Sequence, residues 1–110
     1  MNVGLNLGEW EQIVLLAVLR CESNAYGVPI RDEISLCTGR EPSTGALYTT
    51  LDRLEDKGLL RSRMGTPTAE RGGRARRFFT VTAQGKAAIV RAQSAYRRLL
   101  EGLDLLKEQA

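Results

Sequence analysis

The sequence predicts a mainly α-helical fold with one small β-hairpin and a long helix at its C-terminal end. Apolar residues recur every three to four positions in four separate segments, which is the spacing of amphipathic helices. Between the third and fourth of these segments lie two short strand-like stretches joined by turn-forming residues. The chain has 110 residues, 43% hydrophobic and 26% charged, as expected of one compact globular unit.

The first two helices are set by an apolar stripe and by helix-terminating residues. Residues 9–22 place Trp10, Ile13 and Val14 on one face, with acidic residues at the favourable N-terminal end of the helix dipole. Pro29 fits the opening turn of a second helix, because a first-turn nitrogen has no intrahelical acceptor. Gly39 is a natural C-terminal residue for that helix.

A third helix is predicted at residues 44–57. Pro42 disfavours helical geometry just before it, and the hydroxyl of Ser43 can cap its first turn. Gly58 supplies the left-handed residue that ends it. Two helices joined by a short turn form a helix-turn-helix, in which the second helix is presented to the major groove of DNA.

The two strand-like stretches are residues 59–64 and 75–81, and they form a hairpin with a long loop. Adjacent strand residues point to opposite faces, so one of Phe78 and Phe79 should pack on the core. A helix-turn-helix followed by a basic hairpin is the winged-helix arrangement, with the hairpin as the wing.

The positive charge of the chain is concentrated in this wing. Residues 61–77 hold six arginines and one glutamate, a local charge of +5, whereas the whole chain carries only +3. Charge gathered on one segment indicates a polyanionic partner, and duplex DNA is the partner expected here. RNA or an acidic protein surface is the alternative. The wing residues expected to contact DNA are Arg71, Gly72, Gly73, Arg74, Arg76 and Arg77.

The outward face of the third helix supplies the second group of candidates. With Leu47, Leu51 and Leu54 turned inward, a rotation of 100° per residue sends the opposite face toward the groove. The candidate DNA-binding residues of this helix are Ser43, Thr44, Gly45, Tyr48, Thr49 and Arg53. Thr49 and Arg53 are expected at base edges or phosphates, and Ser43, Thr44 and Tyr48 mainly at phosphates. Gly45 should let the backbone approach the groove closely.

Three carboxylates, Asp52, Glu55 and Asp56, oppose this assignment because they repel phosphates. We expect them to pair with Arg53 or with wing arginines. The alternative for Arg53 and Asp56 is a plain solvated helix face.

The last helix is predicted to run from Thr82, as its N-cap, to Leu106. Its apolar positions follow a heptad spacing, which favours packing against the same helix of a second subunit. The alternative is packing on the first helix of the same chain. The expected interface residues are Trp10, Ile89, Ala92, Tyr96, Leu99, Leu103 and Leu106. Residues 1–82 would thus form the DNA-binding part, and residues 83–110 the dimerisation helix.

Other functional classes find little support in the sequence. The longest apolar run, at residues 13–19, is too short to cross a bilayer, and no export signal is seen, so a cytoplasmic protein is expected. Without histidine, Cys21 and Cys37 cannot complete an ordinary zinc site, and we expect them to be small buried residues. No catalytic arrangement is found, and neither an enzyme nor a cofactor is expected.

Four stretches together resemble the PadR family of winged-helix transcriptional regulators. They are "EQIVLLAVL", "AYGVPIRDEI", "STGALYTTLDRLEDKGLL" and "GGRARRFFTVTAQGKAAI". The resemblance implies a homodimer that binds a palindromic operator and usually represses transcription. It also implies a small-molecule effector site at the dimer interface, where Trp10 and Tyr96 are the aromatic candidates. For Trp10, plain packing in the core or the interface is the alternative. Phe78 and Phe79 replace the tyrosine pair of the family, so contacts needing that hydroxyl are lost. A winged-helix adaptor whose basic wing binds an acidic protein is the alternative function.

Overall fold

The computed structural model describes residues 7–66 and 75–105. The elements in order are α1 (Glu9–Cys21), a 3₁₀ turn (Glu22–Asn24), α2 (Gly27–Thr38), α3 (Thr44–Asp56), β1 (Leu60–Met64), β2 (Arg77–Val81) and α4 (Ala83–Leu100). The two strands pair as one antiparallel hairpin. This is the mainly helical, winged-helix architecture that the sequence predicts.

Helix α1 crosses the centre of the core. Val14, Leu15 and Val18 on its inner face are almost fully buried, and they belong to one continuous apolar cluster. The cluster also takes side chains from the other helices and both strands, among them Ile30, Ile34, Leu47, Leu51, Leu54, Phe79 and Val81. Burial of these side chains is the main source of stability, since each contributes about 1.5–3 kcal/mol relative to exposure.

Short-range signals set the helix ends as the sequence predicts. The hydroxyls of Ser43 and Thr82 each accept a hydrogen bond from a backbone N–H in the first turn of the helix, at 3.1 and 3.0 Å. Gly39 and Gly58 follow α2 and α3 with φ of 76° and 80°, a conformation that glycine adopts without a Cβ penalty. The turn between α2 and α3 is therefore fixed at both ends.

The hairpin register places alternate residues on opposite faces. Leu60 pairs with Val81 and Met64 with Arg77. Phe79 points into the core and is 1% exposed, whereas Phe78 is half-buried on the other face, which confirms the predicted division. The backbone N–H of Phe79 also donates to the carbonyl of Ala25 at 2.8 Å. This bond ties the segment before α2 to β2.

Helix α4 is shorter than predicted, because it ends at Leu100 rather than at Leu106. Glu101 leaves helical geometry with ψ of 134°, and Gly102 adopts φ of 81°. The N–H of Leu103 then bonds to the carbonyl of Leu100 at 3.0 Å. Gly102 is the available sequence signal, since glycine commonly follows the last helical residue. Leu106 lies outside the described residues.

The first half of α4 contains the residues of this helix that are buried in the core. Gly85, Ala88 and Ile89 are buried, and Ile89, at 6% exposure, belongs to the intrachain core. Ile89 thus packs in the core of its own chain, as the alternative for this stripe describes. Beyond Ile89 the helix projects from the core.

Two further observations concern membrane spans and the cysteines. In residues 7–66 and 75–105, every helix is too short or too polar to cross a bilayer. Cys37 is exposed and Cys21 is half-buried, so the expectation that both are buried is wrong. Both lie near helix ends, where the outer turns leave side chains accessible.

Candidate nucleic-acid interface

The outward face of α3 is open along its N-terminal half. Leu47, Leu51 and Leu54 are buried as predicted, while Thr49 and Arg53 are exposed on the opposite side. The helix begins with an exposed stretch consisting of Ser43, Thr44, Gly45 and Ala46. The Ser43 hydroxyl accepts the cap hydrogen bond of this helix, and its O–H stays available to donate to an anion. The first-turn N–H groups of a helix also favour nearby anions.

Tyr48 joins the N-terminal ends of α2 and α3. Its half-buried ring lies 6.3 Å from the ring of Phe79, and its hydroxyl approaches Gly27 at the start of α2. A Cβ on Gly27 would stand only 2.6 Å from that hydroxyl oxygen. The glycine therefore permits the close approach, and a cleft of about 160 Å³ lies between the two helix ends, with Arg31 and Thr44 among its lining residues.

Trp10 holds the inner face of α3 against α1. Its indole N–H donates to the hydroxyl of Thr50 at 2.8 Å, and Thr50 is 3% exposed. The hydrogen bond satisfies a polar group that would be costly to bury alone. Trp10 thus packs on α3 of its own chain, which agrees with the alternative that it is a packing residue.

Arg77 is engaged by α3 rather than exposed. Its guanidinium donates to Asp52 Oδ1 at 2.8 Å, to Glu55 Oε1 at 2.6 Å and to Ser62 Oγ at 3.2 Å. Its guanidinium carbon also lies 4.8 Å from the centre of the Phe79 ring. The expectation that carboxylates of the third helix pair with a wing arginine is thereby met by Asp52 and Glu55, and Arg77 has partners other than the expected phosphates.

Glu55 is the centre of this ion-pair network. The Ser62 hydroxyl and backbone N–H and the Arg77 guanidinium all donate to its carboxylate. Hydrogen bonds from Ser62 and then Arg77, acting against partial burial, hold the pKa of Glu55 below its usual value. The carboxylate is therefore ionised at neutral pH, and much of its negative charge is compensated.

The outer face of the hairpin carries arginines stacked on aromatic rings. The guanidinium of Arg63 lies 4.9 Å from the centre of the Phe78 ring, and that of Arg76 lies 4.5 Å from the Tyr26 ring. Tyr26 and Phe78 contact each other edge to face, with 5.5 Å between their centres. Cation–π stacking fixes the orientation of a guanidinium while leaving its N–H edge available.

The sequence interpretation omitted Tyr26, Arg63 and Ser62 from this site. Strand alternation would have separated the arginines, because Arg77 shares a face with the buried Phe79 while Arg76 lies on the other face. Tyr26 carried no such signal, since its contact with the wing depends on tertiary packing. Four expected wing residues, Arg71, Gly72, Gly73 and Arg74, lie outside the described residues.

A second candidate surface lies along α1 and the projecting half of α4. Tyr96, Leu99 and Leu103 are exposed, Leu99 to 76%, and Ala92 is half-buried. A cleft of about 440 Å³ separates the two helices and is lined in part by Leu16 and Tyr96. Exposed leucines on a projecting helix are typical of subunit contacts.

A polar contact bridges this cleft. The side-chain amide of Gln93 on α4 donates to the side-chain carbonyl of Gln12 on α1 at 3.1 Å. In the described part of the chain, no three His, Cys, Asp or Glu side chains are grouped so that they could hold a metal ion.

Solved structures of similar fold include three with close agreement in shape. A complex described as hsRosR-S4 is 24% identical, with a TM-score of 0.69 over 94% of this chain and 83% of the other. A PadR family transcription regulator from Clostridium difficile is 21% identical, with a TM-score of 0.66 over 82% and 90%. A PadR-like transcription factor from Bacteroides fragilis is 22% identical, with a TM-score of 0.69 over 92% and 89%.

One protein-family model matches most of the winged-helix part of the chain. A comparison with curated proteins finds no match. The model of the family described as transcriptional regulator PadR-like matches residues 15–91, from within α1 to the first half of α4. This range contains the helix-turn-helix, the wing and the buried part of the last helix, and the chain accordingly belongs to the PadR-like family of transcriptional regulators.

Proposed function

We propose that this regulator is a homodimer that binds a palindromic DNA operator in a sequence-specific manner and represses transcription. The observation that carries the proposal is the exposed N-terminal half of α3 together with a wing that is bonded to the same helix through Arg77 and whose outer face holds stacked guanidinium groups. A helix end and a basic hairpin together match the major groove and the adjacent phosphate backbone.

In this proposal some residues of α3 contact base edges and others contact phosphates. Thr49 and Arg53 read base edges, and Arg53 favours guanine where it reaches one. Ser43, Thr44 and Tyr48 bind phosphates beside the helix N-terminus. Gly45 is exposed and has no side chain, so it allows close approach of the DNA to the backbone. Arg77 pairs with both Asp52 and Glu55 and compensates one of their two negative charges, which reduces their repulsion of phosphates.

The wing supplies the electrostatic part of the affinity. Arg76 is exposed on the outer face and makes no ion pair within the described residues, so its guanidinium remains available for phosphates. The proposal also keeps Arg71, Gly72, Gly73 and Arg74 as wing contacts on the basis of their sequence alone. Such contacts are independent of base sequence and position the protein on the duplex.

Dimerisation uses the projecting half of α4 together with α1. Tyr96, Leu99 and Leu103 remain in the proposed interface because they are exposed in the single chain. Ala92 borders them, and Leu106 is kept from the sequence pattern. Each subunit of a twofold dimer places one α3 helix in the DNA, which implies half-sites whose centres are about one helical turn, roughly 10 bp, apart.

An effector site is a further part of the proposal. The cleft of about 440 Å³ between α1 and α4 has Tyr96 in its wall, and it lies on the proposed interface. A small molecule bound there would contact both α4, which belongs to the proposed dimer interface, and α1, which carries Trp10. Trp10 in turn donates a hydrogen bond to Thr50 on α3. Effector binding would in this way reach the DNA-reading helix.

Selection of bound duplexes from a random pool with the purified protein tests this function. We expect enrichment of an imperfect palindrome with half-site centres about 10 bp apart. Arg53→Ala should relax the preference at one symmetric position and cost about 1–3 kcal/mol there. Arg31→Ala is the control. Arg31 lies on α2, so this substitution should change the affinity for all DNA sequences alike.

Two outcomes would contradict the proposal. Enrichment of sites without twofold symmetry would remove the palindromic operator. Absence of any duplex binding at low salt would favour the adaptor function, in which the wing arginines meet an acidic protein.

A further inference from the structure

Two adjacent arginines in the wing have opposite surroundings. Arg77 begins β2 on the face that packs against α3, and Arg76 precedes it on the other face. Residues of a strand alternate between faces, so the two guanidinium groups cannot share one environment. The difference is open to direct measurement because the two side chains are chemically identical.

Each of the three guanidinium nitrogens of Arg77 has an acceptor inside the chain. Its Nε, Nη1 and Nη2 atoms each donate to a separate acceptor at 3.2, 2.8 and 2.6 Å, and one face of the guanidinium lies over Phe79. Two carboxylates, those of Asp52 and Glu55, surround this single positive charge. A phosphate that approached Arg77 would meet a local charge of −1 and would have to displace existing bonds.

The network joins two elements that the proposed DNA complex requires in a fixed relation. Asp52 and Glu55 lie one turn apart on α3, while Ser62 and Arg77 lie on the two strands of the wing. Glu55 also accepts from the backbone N–H of Ser62 at 3.2 Å. Both strands are thus held to the helix that enters the groove.

Arg76 provides the contrast. Its guanidinium stacks on Tyr26 at 4.5 Å and has no carboxylate partner among the described residues. Stacking orients the group without neutralising its charge.

We infer that Arg77 is a positioning residue, which fixes the wing against α3 and does not bind DNA, whereas Arg76 is the phosphate-binding arginine of the pair. The inference rests on the proposed DNA-binding function. Fixing the wing before binding removes the ordering cost that a loose hairpin would bring to the complex. The affinity therefore depends on Arg77 although its charge does not reach the phosphates.

The salt dependence of binding separates the two roles. Each phosphate contact contributes about 0.9 to the slope of log K against log salt, so an arginine present twice in a dimer contributes about 1.8. We compare Arg76→Gln with the double variant Arg77→Gln/Glu55→Gln, which removes the network but leaves the net charge of the protein unchanged. Fluorescence anisotropy with the selected duplex gives K at each salt concentration.

The two variants should differ in slope as well as in affinity. Arg76→Gln should make the fall of log K with log salt shallower, with the size of the slope reduced by about 1.8. The double variant should bind on the order of tenfold more weakly at every salt concentration, a loss comparable with the ordering of one or two side chains, and should keep the wild-type slope. Arg77→Lys, which keeps the charge but loses the three-way fork, should weaken binding in the same direction with an unchanged slope.

Two results in the binding assay would overturn the inference. One is a double variant whose slope falls as far as that of Arg76→Gln, because Arg77 would then be a phosphate contact. The other is a double variant that binds as tightly as the wild type, because the network would then position nothing. Thermal unfolding of each variant confirms that the comparison is made between folded proteins.

Hydrogen exchange in the free protein keeps this inference separate from the proposed function. The amide of Ser62 should exchange at least several-fold faster in an Arg77→Gln/Glu55→Ala variant, which lacks the side-chain acceptor of that amide. Unchanged exchange would overturn the inference even if the protein binds DNA. A wild-type protein that binds no duplex would contradict the proposed function and with it the assigned role of Arg76, whereas faster exchange would still support the network.

Discussion

At the scale of single residues, the charge of a side chain in this protein matters less than the partners it meets. Arg77 belongs to the most basic stretch of the chain, yet three side chains of the same molecule occupy its guanidinium. Glu55 stands on the helix proposed to read DNA, yet its charge is compensated by Arg77 and Ser62. Composition therefore indicates the polyanion partner, and individual contacts decide which arginines are available to it.

The network around Glu55 makes stability dependent on pH in the acid range. Bonds from Ser62 and Arg77 lower the pKa of Glu55 in the folded state. A lowered pKa means that the stabilisation is fully present above the unfolded value of about 4.3 and is lost as pH falls through the folded value. Glu55→Gln should reduce the free energy of unfolding by about 1 kcal/mol at pH 7, and the difference from wild type should shrink below about pH 4.

Urea denaturation at pH 7 and pH 3 measures this effect. Glu41→Gln is the control, because Glu41 is exposed and makes no hydrogen bond or ion pair within the described residues. A Glu55→Gln deficit of equal size at both pH values would show that ionisation of Glu55 does not contribute.

At the scale of elements, helix α4 is attached by one close approach near its start. Gly85 packs against the backbone carbonyl of Leu59 and the side chain of Val81, and a Cβ at this position would overlap both. The contact joins the end of the wing to the last helix, so the orientation of the projecting half follows from it. Thr82 strengthens the junction by donating its hydroxyl to the carbonyl of Gly58 at 2.7 Å.

Gly85→Ala should therefore destabilise the fold by about 1–3 kcal/mol, because the added methyl group meets backbone atoms that cannot move independently. Gly45→Ala is the matched control: Gly45 lies in the first turn of α3 with nothing within 4 Å of the added Cβ. That change should leave stability unchanged or raise it by about 0.5 kcal/mol. Thermal or urea unfolding of both variants makes the comparison, and equal effects would remove the steric explanation.

The element scale is also where the sequence was least accurate. The heptad spacing predicted an unbroken helix to Leu106, but the helix ends at Leu100. Apolar periodicity reports which residues share a face and does not report where the backbone hydrogen bonds stop. The local signal was Gly102, whose left-handed φ of 81° follows the last helical turn.

At the scale of the whole molecule, the single chain leaves exposed leucines at the end of α4 and in the turn that follows it. Leu99 is 76% exposed and Leu103 is 60% exposed, and both lie beyond the part of α4 that packs on the core. Burying such side chains in a second copy would recover the hydrophobic free energy that the monomer cannot gain. This is why the proposed function requires a dimer.

Leu99→Asp should convert the proposed dimer to a monomer without unfolding it, because Leu99 contributes almost nothing to the core of its own chain. Leu36→Asp is the matched control, since Leu36 on α2 is 81% exposed and lies outside the proposed interface. Sedimentation at micromolar concentrations and circular dichroism test the two variants. A wild-type protein that sediments as a monomer, or a Leu99→Asp variant that remains dimeric, would contradict the proposed interface.

The sequence by itself determined the fold class, the helix caps, the inward face of α3 and the opposite orientations of Phe78 and Phe79. These features depend on local stereochemistry and periodicity, which act over one or two turns of chain. Only the tertiary structure decided that Trp10 bonds to Thr50, 40 residues away, and that Arg77 bonds to Asp52, 25 residues away. Such partners are chosen by the distance between packed elements, so two adjacent arginines of one basic stretch acquire different surroundings.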